Sequence, residues 1–308
     1  MNYRVLFIAT LQTVGLFVAG GVIPLLGQAF ALFTPVPLIV VSLRNSRKEG
    51  FMTLAAACGL VSLIGGWQAA AALFFSFGLM AIGIAEGMHR RMRPERTALL
   101  GGFLPIAVVG AALAIYLVKV GKNPFTEIDA YLREMIAAAA KTYTDLGLKE
   151  MASMISSIPE SYLHYFSRLM PGITIATSVA QAAFCYGIAR AIIARKQGMQ
   201  PGEVPFASWH APDSWVWGLI AALAFIVVPR EDVRLAGWNL AIVFAVVYLA
   251  QGSAIVDYYL RRARLKNFIR GLFIGLILAM PTIVFVIALG IVDIWADFRK
   301  VRGPVRTA

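Results

Sequence analysis

The sequence predicts an all-α polytopic integral membrane protein, a bundle of eight or nine transmembrane helices with an amphipathic helical insert on its outer face. Three observations predict this class. Of the 308 residues, 59% are hydrophobic and only 14% are charged, whereas a soluble domain is about a quarter charged. Nine apolar runs approach the roughly 20 residues that a membrane-spanning helix needs. The cations lie in short loops between these runs instead of on one surface.

The nine runs follow one another along a single membrane domain, residues 1–308. They cover residues 5–22, 24–43, 51–66, 67–86, 98–119, 170–194, 214–229, 236–258 and 267–294. The first run lacks a clean cleavage site, so we interpret it as a retained span and not as a signal peptide. Glycine and proline separate the first two runs near Gly20 and Pro24, and Gly65–Trp67 separates the third from the fourth. Both junctions predict tight hairpins. The third and seventh runs are short, so they either thin the bilayer or cross it incompletely.

The loop cations predict the orientation. Four basic loops fall on one side if each run crosses once, and their cations are Arg44, Arg47, Lys48, Arg90, Arg91, Arg93, Arg96, Arg190, Arg195, Lys196 and those of the stretch 261–270. Cytoplasmic loops carry an excess of lysine and arginine, which makes this side and the N-terminus cytoplasmic. The C-terminal stretch 297–308 is also basic. The ninth run, interrupted by Pro281, either crosses once, which we favour, or forms a re-entrant hairpin that returns this stretch to the cytoplasm.

Two segments lie between the runs. Residues 120–168 form the only long polar insert, and apolar side chains at helical spacing predict extracytoplasmic amphipathic helices that lie on the interface or cap the bundle. Residues 197–213 form a cytoplasmic Pro/Trp-rich segment that leads into the seventh run. Tryptophan is enriched at headgroup level, so Trp209, Trp215 and Trp217 indicate an interfacial segment. A protein-docking surface and a catalytic role for His210 and Asp213 are the alternatives.

The patterns of common catalytic and metal sites are missing from the sequence. It contains no Walker A loop, no H-E-x-x-H and no G-x-S-x-G, so the chain itself cannot drive transport with ATP. The three histidines lie in separate loops, and the two cysteines lie inside apolar runs. We therefore predict no enzyme, no catalytic residue, no metal site and no cofactor. The pI near 10.0 does not indicate nucleic-acid binding, because the cations are spread over the loops.

Neutral amides inside the runs are the most informative polar residues. They are Gln12, Gln28, Gln68, Gln181, Asn239 and Gln251. An amide in a membrane either binds a polar ligand or hydrogen-bonds a neighbouring helix. Gln28, Gln68 and Asn239 lie toward the outer half of their runs. They predict a ligand cavity open to the outside, with Trp67 and Trp238 as its walls.

Local ion pairs explain most charges near the helix ends. Glu86 with Arg90 and Asp257 with Arg261 have the i,i+4 spacing of an ordinary helix pair, and Asp297 is followed by Arg299 and Lys300. Small residues allow close helix approach at Gly15-x-x-x-Ala19 and along 55–59. These faces pack either within the chain or against a partner.

Four segments together resemble the YybS-like family of bacterial membrane proteins. They are "TPVPLIVVSLR" (34–44), "PFASWHAP" (205–212), "YLAQGSAIV" (248–256) and "LGIVDIWADFRK" (289–300). That family is related distantly to the S-components of energy-coupling-factor transporters, which bind a vitamin or metal ion from outside and have about six spans. The resemblance implies a multi-pass solute-binding protein of the bacterial cytoplasmic (inner) membrane, with a transmembrane coupling subunit and ATPases as partners besides the lipid bilayer.

The leading functional hypothesis is therefore a membrane-embedded, S-component-like subunit that binds an unknown small solute for uptake powered by partner ATPases. The alternative is a non-transporting membrane scaffold or interaction protein for envelope assembly, whose docking surfaces are the segments 120–168 and 197–213. An autonomous secondary transporter is a third class. It would need broken helices in two matching halves, which the positions of the prolines do not provide.

Overall fold

The computed structural model describes residues 3–23, 27–197, 205–266, 269–271, 275 and 282–300. These residues form helices and turns and include no strand, which confirms the predicted all-α class for them. The helices named below are α1 (Tyr3–Val22), α2 (Gly27–Phe33), α3 (Pro35–Arg44), α4 (Arg47–Ala72), α5 (Leu79–His89), α6 (Pro94–Val120), α7 (Pro124–Asp145), α8 (Lys149–Ser156), α9 (Glu160–Gln197), α10 (Trp215–Val227), α11 (Glu231–Arg262) and α12 (Ile283–Ala296). A π-helical segment, Leu73–Gly78, joins α4 to α5, and Phe206–Ser208 form a 3₁₀ turn.

Six stretches are long and apolar enough to cross a membrane. They are Tyr3–Val22, Gly27–Arg44, Arg47–His89, Pro94–Val120, Glu160–Arg195 and Glu231–Arg262, while α10 and α12 are shorter apolar helices. The predicted runs thus coincide with helices wherever the chain is described. Pro281 and much of the ninth run before it lie outside the described residues. The count of eight or nine spans stays a prediction.

The stretch Arg47–His89 folds back on itself at Gly66. Gly66 has φ 79° and ψ 178°, a backbone conformation that is essentially limited to glycine and that interrupts the helix. The two arms then run side by side. An added Cβ at Gly78 would lie 2.9 Å from Leu54 Cδ1, and Arg47 Nε lies 3.1 Å from Glu86 Oε2. Leu54 and Gly78 are equally distant from Gly66 along the chain, so the predicted hairpin at Gly65–Trp67 is confirmed.

Side-chain hydrogen bonds connect α9 to α2, α6 and α11, and each of them lies close to a proline. Proline lacks an N–H and disturbs the carbonyls one turn before it. Gln181 Nε2 and Cys185 Sγ donate to the carbonyls of Ala31 and Leu32, just before Pro35, at 3.4 and 3.2 Å. Ser178 Oγ donates to the Gly102 carbonyl, three residues before Pro105, at 2.8 Å. Asn239 of α11 does the same for α9 itself, at Pro171. Side chains of neighbouring helices thus donate to carbonyls three or four residues before a proline, and at Arg168 the ordinary partner of the carbonyl, the N–H of Gly172, is bonded to Asn239 instead.

The basic loops meet at one end of the bundle. Arg44 Nη2 donates to the Ile192 carbonyl at 3.0 Å, which joins the end of α3 to the end of α9. Arg47 pairs with Glu86. Trp209 Nε1 lies 3.5 Å from Glu95 Oε2. We call this end, formed by residues 44–48, 86–96, 190–195, 205–211 and 257–266, the basic face.

The end of α12 also lies at the basic face. Tyr259, three residues before the end of α11, donates its hydroxyl to the Phe298 carbonyl at 3.2 Å. A single crossing between Arg262 and Asp297 would put these groups on opposite sides of the membrane. The contact therefore favours the re-entrant alternative, and the number of crossings of the ninth run stays a prediction.

The insert consists of α7, α8 and the first turns of α9, and it follows the end of α6 that is distant from the basic face. Helix α7 contains no buried residue. It contacts α9 through Asp129, whose Oδ2 lies 3.5 Å from His164 Nδ1, and through Arg133, whose Nε lies 3.6 Å from Glu160 Oε1. Apolar side chains that include Tyr131, Met135 and Met151 stay exposed. The segment therefore forms helices with an exposed apolar face, as its amphipathic pattern predicts.

Candidate functional site

The residues predicted to line an outer cavity lie on three helices that do not pack closely on one another. Gln28 is on α2, Trp67 and Gln68 are on α4, and Trp238 and Asn239 are on α11; these helices are not among the well-packed pairs of the described bundle. Gln28 and Gln68 are exposed, and Trp67 and Trp238 are 73% and 47% exposed. Within this set, the structure places together only residues that are adjacent in the chain, namely Trp67 with Gln68 and Trp238 with Asn239. A ligand role for each residue stays a prediction.

Asn239 has a defined structural partner. Its Oδ1 accepts the N–H of Gly172 at 2.6 Å, and its Nδ2 donates to the Arg168 carbonyl at 2.9 Å. In a regular helix Gly172 and Arg168 would bond each other, but Pro171 distorts this turn. The amide of Asn239 therefore fills the gap in α9 and joins it to α11. This is the helix-joining role that the sequence left open beside ligand binding.

We expect Asn239→Ala to lower the stability of the folded protein by about 1 kcal/mol, because side-chain hydrogen bonds between membrane helices contribute roughly 0.6–1.7 kcal/mol. The measurement is thermal unfolding in detergent, followed by size-exclusion chromatography. Gln68→Ala is the matched control, since this exposed amide of α4 has no comparable role. Equal stability of the two variants would contradict the helix-joining role of Asn239.

The residues predicted for helix packing or partner binding lie in two places. On α1, Gly15 is exposed with open space around it, and Ala19 is half-buried. Near the basic face, Trp209 and Trp215 are half-buried, while Trp217 is 71% exposed. Partner contacts at these positions stay a prediction. Residues 198–204 of the Pro/Trp-rich segment lie outside the described residues.

A buried polar network lies beside Trp209, at the basic face. Arg299 Nη2 lies 2.9 Å from Asp293 Oδ2, and the two side chains are 0% and 2% exposed. Gln251 Nε2 donates to the same carboxylate oxygen at 3.1 Å. The other carboxylate oxygen, Oδ1, accepts the backbone N–H of Phe298 at 3.0 Å. The network therefore joins the middle of α11 to the end of α12.

Two of these side chains also hold the backbone of the segment 205–211. Arg299 Nη1 donates to the carbonyls of Ala207 and Trp209 at 2.8 and 2.9 Å. Gln251 Oε1 accepts the N–H of Ala211 at 3.1 Å. Ala207 and Ala211 are buried. This segment contains only one 3₁₀ turn. Gln251 of α11 and Arg299, just after α12, thus hold its backbone at three positions.

The helices of the network approach each other closely enough that glycine is required. An added Cβ at Gly290 would overlap the carbonyl oxygen of Tyr248, and one at Gly252 would overlap that of Val286. Tyr248 is buried beside this contact. The close packing of α11 and α12 sets the distance across which Gln251 reaches Asp293.

Sequence reasoning missed this site. The guanidinium of Arg299 pairs with Asp293, whereas the sequence indicated only a local pair of Asp297 with Arg299 or Lys300, which stays a prediction. Gln251 was noted as an intramembrane amide but was not selected. A signal was present: of the four segments that carry the family resemblance, 205–212, 248–256 and 289–300 each contribute to the network. The predicted pairs Glu86–Arg90 and Asp257–Arg261 are confirmed.

Comparison with known families gives a match over nearly the whole chain. Residues 12–294 match the family described as "Predicted membrane protein (DUF2232)". The chain belongs to this family. The family match includes Gln251 and Asp293 and ends before Arg299. No curated protein and no solved structure matches the chain. The finer resemblance to YybS-like proteins and S-components stays a prediction, as do the inner-membrane location and the cytoplasmic N-terminus.

The described residues contain no group of three or more histidine, cysteine, aspartate or glutamate side chains able to hold a metal ion. His89 Nδ1 lies 2.8 Å from the Ala85 carbonyl, and His164 faces Asp129. His210 is exposed near the buried network. The predicted lack of enzymatic activity, metal and cofactor stays a prediction.

Proposed function

We propose that this membrane protein is a non-transporting interaction protein, whose docking surface is the segment 205–211 on the basic face. This is the alternative hypothesis from the sequence. The observation that carries it is the buried Gln251–Asp293–Arg299 network, which bonds the backbone of this segment at three positions. The leading hypothesis needs an outer cavity, and the amides proposed to line it do not converge.

The energetics of the network favour a role in shaping the segment. Connecting segments are ordinarily mobile, and burying an ion pair has a desolvation cost that often equals its Coulombic gain. Net stability alone is therefore a weak reason to place Arg299 and Asp293 in the interior. Fixing one conformation of residues 205–211 is a use that matches the observed bonds, because Arg299 donates to two carbonyls of that segment. Fixed surfaces bind partners with a smaller loss of conformational entropy.

The segment presents an apolar group among cations. Phe206 is 41% exposed, and Arg91, Arg93 and Arg96 of the neighbouring loop are exposed. A partner with an acidic surface and a pocket for Phe206 matches this combination. In this proposal the basic face is cytoplasmic, in keeping with the excess of lysine and arginine in cytoplasmic loops.

Photo-crosslinking in native membranes tests the proposal. With Phe206→p-benzoylphenylalanine we expect one discrete protein adduct, identified by mass spectrometry. The same replacement at Phe285, which is 75% exposed on α12, is the matched control and should give lipid adducts. Adding Asp293→Asn/Arg299→Met, which leaves no unpaired buried charge, should remove the adduct at position 206 and leave the products at 285 unchanged. Protein adducts of equal yield at both positions, or an adduct at 206 that survives this double substitution, would refute the proposal.

A second candidate is the S-component-like, solute-binding subunit for uptake powered by partner ATPases. The observation that favours it is the open surface around Gly15 on α1, which would suit a transmembrane coupling subunit. Purification in mild detergent distinguishes the two roles. Recovery of a coupling subunit, ATPases and one stoichiometric small molecule supports transport, whereas recovery of other membrane proteins without a solute supports docking.

A further inference from the structure

A narrow cleft lies between α3, α4 and α5, where these helices reach the basic face. Its cavity volume is about 50 Å³. Its walls are mainly apolar and include Leu38, Phe51, Leu54, Ala81, Ile82 and Ala85. Gly50 and Gly78 also line it without side chains. A cleft with mainly apolar walls suits a hydrocarbon chain better than a polar solute, which would leave its hydrogen-bonding groups unsatisfied.

The mouth of the cleft carries excess positive charge. Arg47, Glu86 and His89 line it. The single carboxylate of Glu86 is shared by Arg47, at 3.1 Å, and Arg90, at 2.5 Å. Because two guanidinium groups share one carboxylate, one positive charge stays uncompensated at the mouth. The Arg47 side chain is 56% exposed, so its free N–H groups can reach an anion.

The helix geometry at the cleft is irregular. The π-helical segment Leu73–Gly78 ends at the wall of the cleft. Such π turns are rare and frequently occur at functional sites. Here the segment lies between the turn at Gly66 and α5. The π-helical segment, the excess positive charge and the cavity therefore lie at the same place in the bundle.

We propose that this cleft binds one anionic phospholipid of the adjacent leaflet, with an acyl chain against the apolar walls and the phosphate at Arg47 and His89. Guanidinium groups bind phosphate oxygens through paired, charge-assisted hydrogen bonds. Basic pockets between membrane helices bind anionic headgroups in the same way. The site is separate from the segment 205–211, so it neither requires nor supports the docking function.

Native mass spectrometry of the full chain, with lipids added to detergent micelles, tests the site. We expect one retained phosphatidylglycerol per chain and little retained phosphatidylcholine. Arg47→Gln should weaken phosphatidylglycerol binding at least fivefold, because the headgroup loses its main donor. The variant should keep its fold, since Arg90 still pairs with Glu86. Arg91→Gln, on the same face and outside the cleft, is the matched control and should bind as the wild type does.

A second variant and a competitor test the acyl chain separately. Ile82→Trp should fill the cleft and reduce phosphatidylglycerol binding while Arg47 stays in place. Inorganic phosphate at the same concentration should not displace the lipid, since it lacks the chain. The proposal is overturned if Arg47→Gln and Arg91→Gln weaken binding equally, if both lipids bind equally, if Ile82→Trp binds as the wild type does, or if free phosphate displaces the lipid.

Discussion

Replacing Arg299 by methionine is expected to destabilise the folded protein by about 3–5 kcal/mol, the range found when one partner of a buried ion pair is removed. The Asp293 carboxylate would stay buried with only the Gln251 amide and the Phe298 N–H as donors. The carbonyls of Ala207 and Trp209 would also lose their donor. Thermal unfolding in detergent, together with limited proteolysis of residues 205–211, measures both effects.

The control for this variant is Lys300→Met, because Lys300 is the next residue and its side chain is exposed. This variant loses the same charge as Arg299→Met without affecting the network, so we expect its free energy of unfolding to change by no more than about 0.5 kcal/mol. The double variant Asp293→Asn/Arg299→Met should recover part of the lost stability, since no unpaired charge remains. A double variant less stable than Arg299→Met would contradict the assigned pair.

Gly290→Ala is expected to have the second large effect. The added methyl group would overlap the Tyr248 carbonyl oxygen and lie 2.9 Å from the Gly252 nitrogen. Both obstacles are backbone atoms, so α11 and α12 must move apart. Overpacking of this kind costs about 1–3 kcal/mol and occasionally more. We expect a loss of at least about 2 kcal/mol in thermal unfolding, since the shift also stretches the contact between Gln251 and Asp293.

Gly187→Ala provides the comparison for this substitution. Gly187 lies in α9 with nothing within 4 Å of an added Cβ, so the variant should gain up to about 1 kcal/mol from the higher helix propensity of alanine. Gly290→Ala and Arg299→Met should be non-additive when combined, because both act on the contact of α11 with α12. Additive losses would show that close packing and the ion pair are independent.

Local features of the fold could be predicted from the sequence. The turn at Gly66 was predictable because adjacent glycines between two apolar runs interrupt a helix by themselves. The pair Asp257–Arg261 was predictable because i,i+4 residues on a helix are neighbours in every fold. The helical insert was predictable from its apolar spacing, which needs no knowledge of distant residues.

The buried network could not be predicted by the same means. Its members come from separate segments, and nothing in the spacing of Gln251 and Asp293 brings them together before α11 and α12 pack. Asp297 is nearer to Arg299 in sequence, so a local rule does not indicate the pair with Asp293. The amides posed a related difficulty. Whether Asn239 binds a ligand or a helix depends on the backbone it faces, and the gap beside Pro171 exists only in the folded protein.

The hydrogen bonds of α9 have a consequence for biosynthesis. Helices α2 and α6 leave the ribosome before Ser178, Gln181 and Cys185. In the folded protein these three side chains donate hydrogen bonds to carbonyls of α2 and α6. Unsatisfied backbone groups are costly in lipid. During translation these carbonyls therefore lack their side-chain donors until α9 arrives. The contacts of α2 and α6 with residues 178–185 of α9 can form only after those residues have emerged.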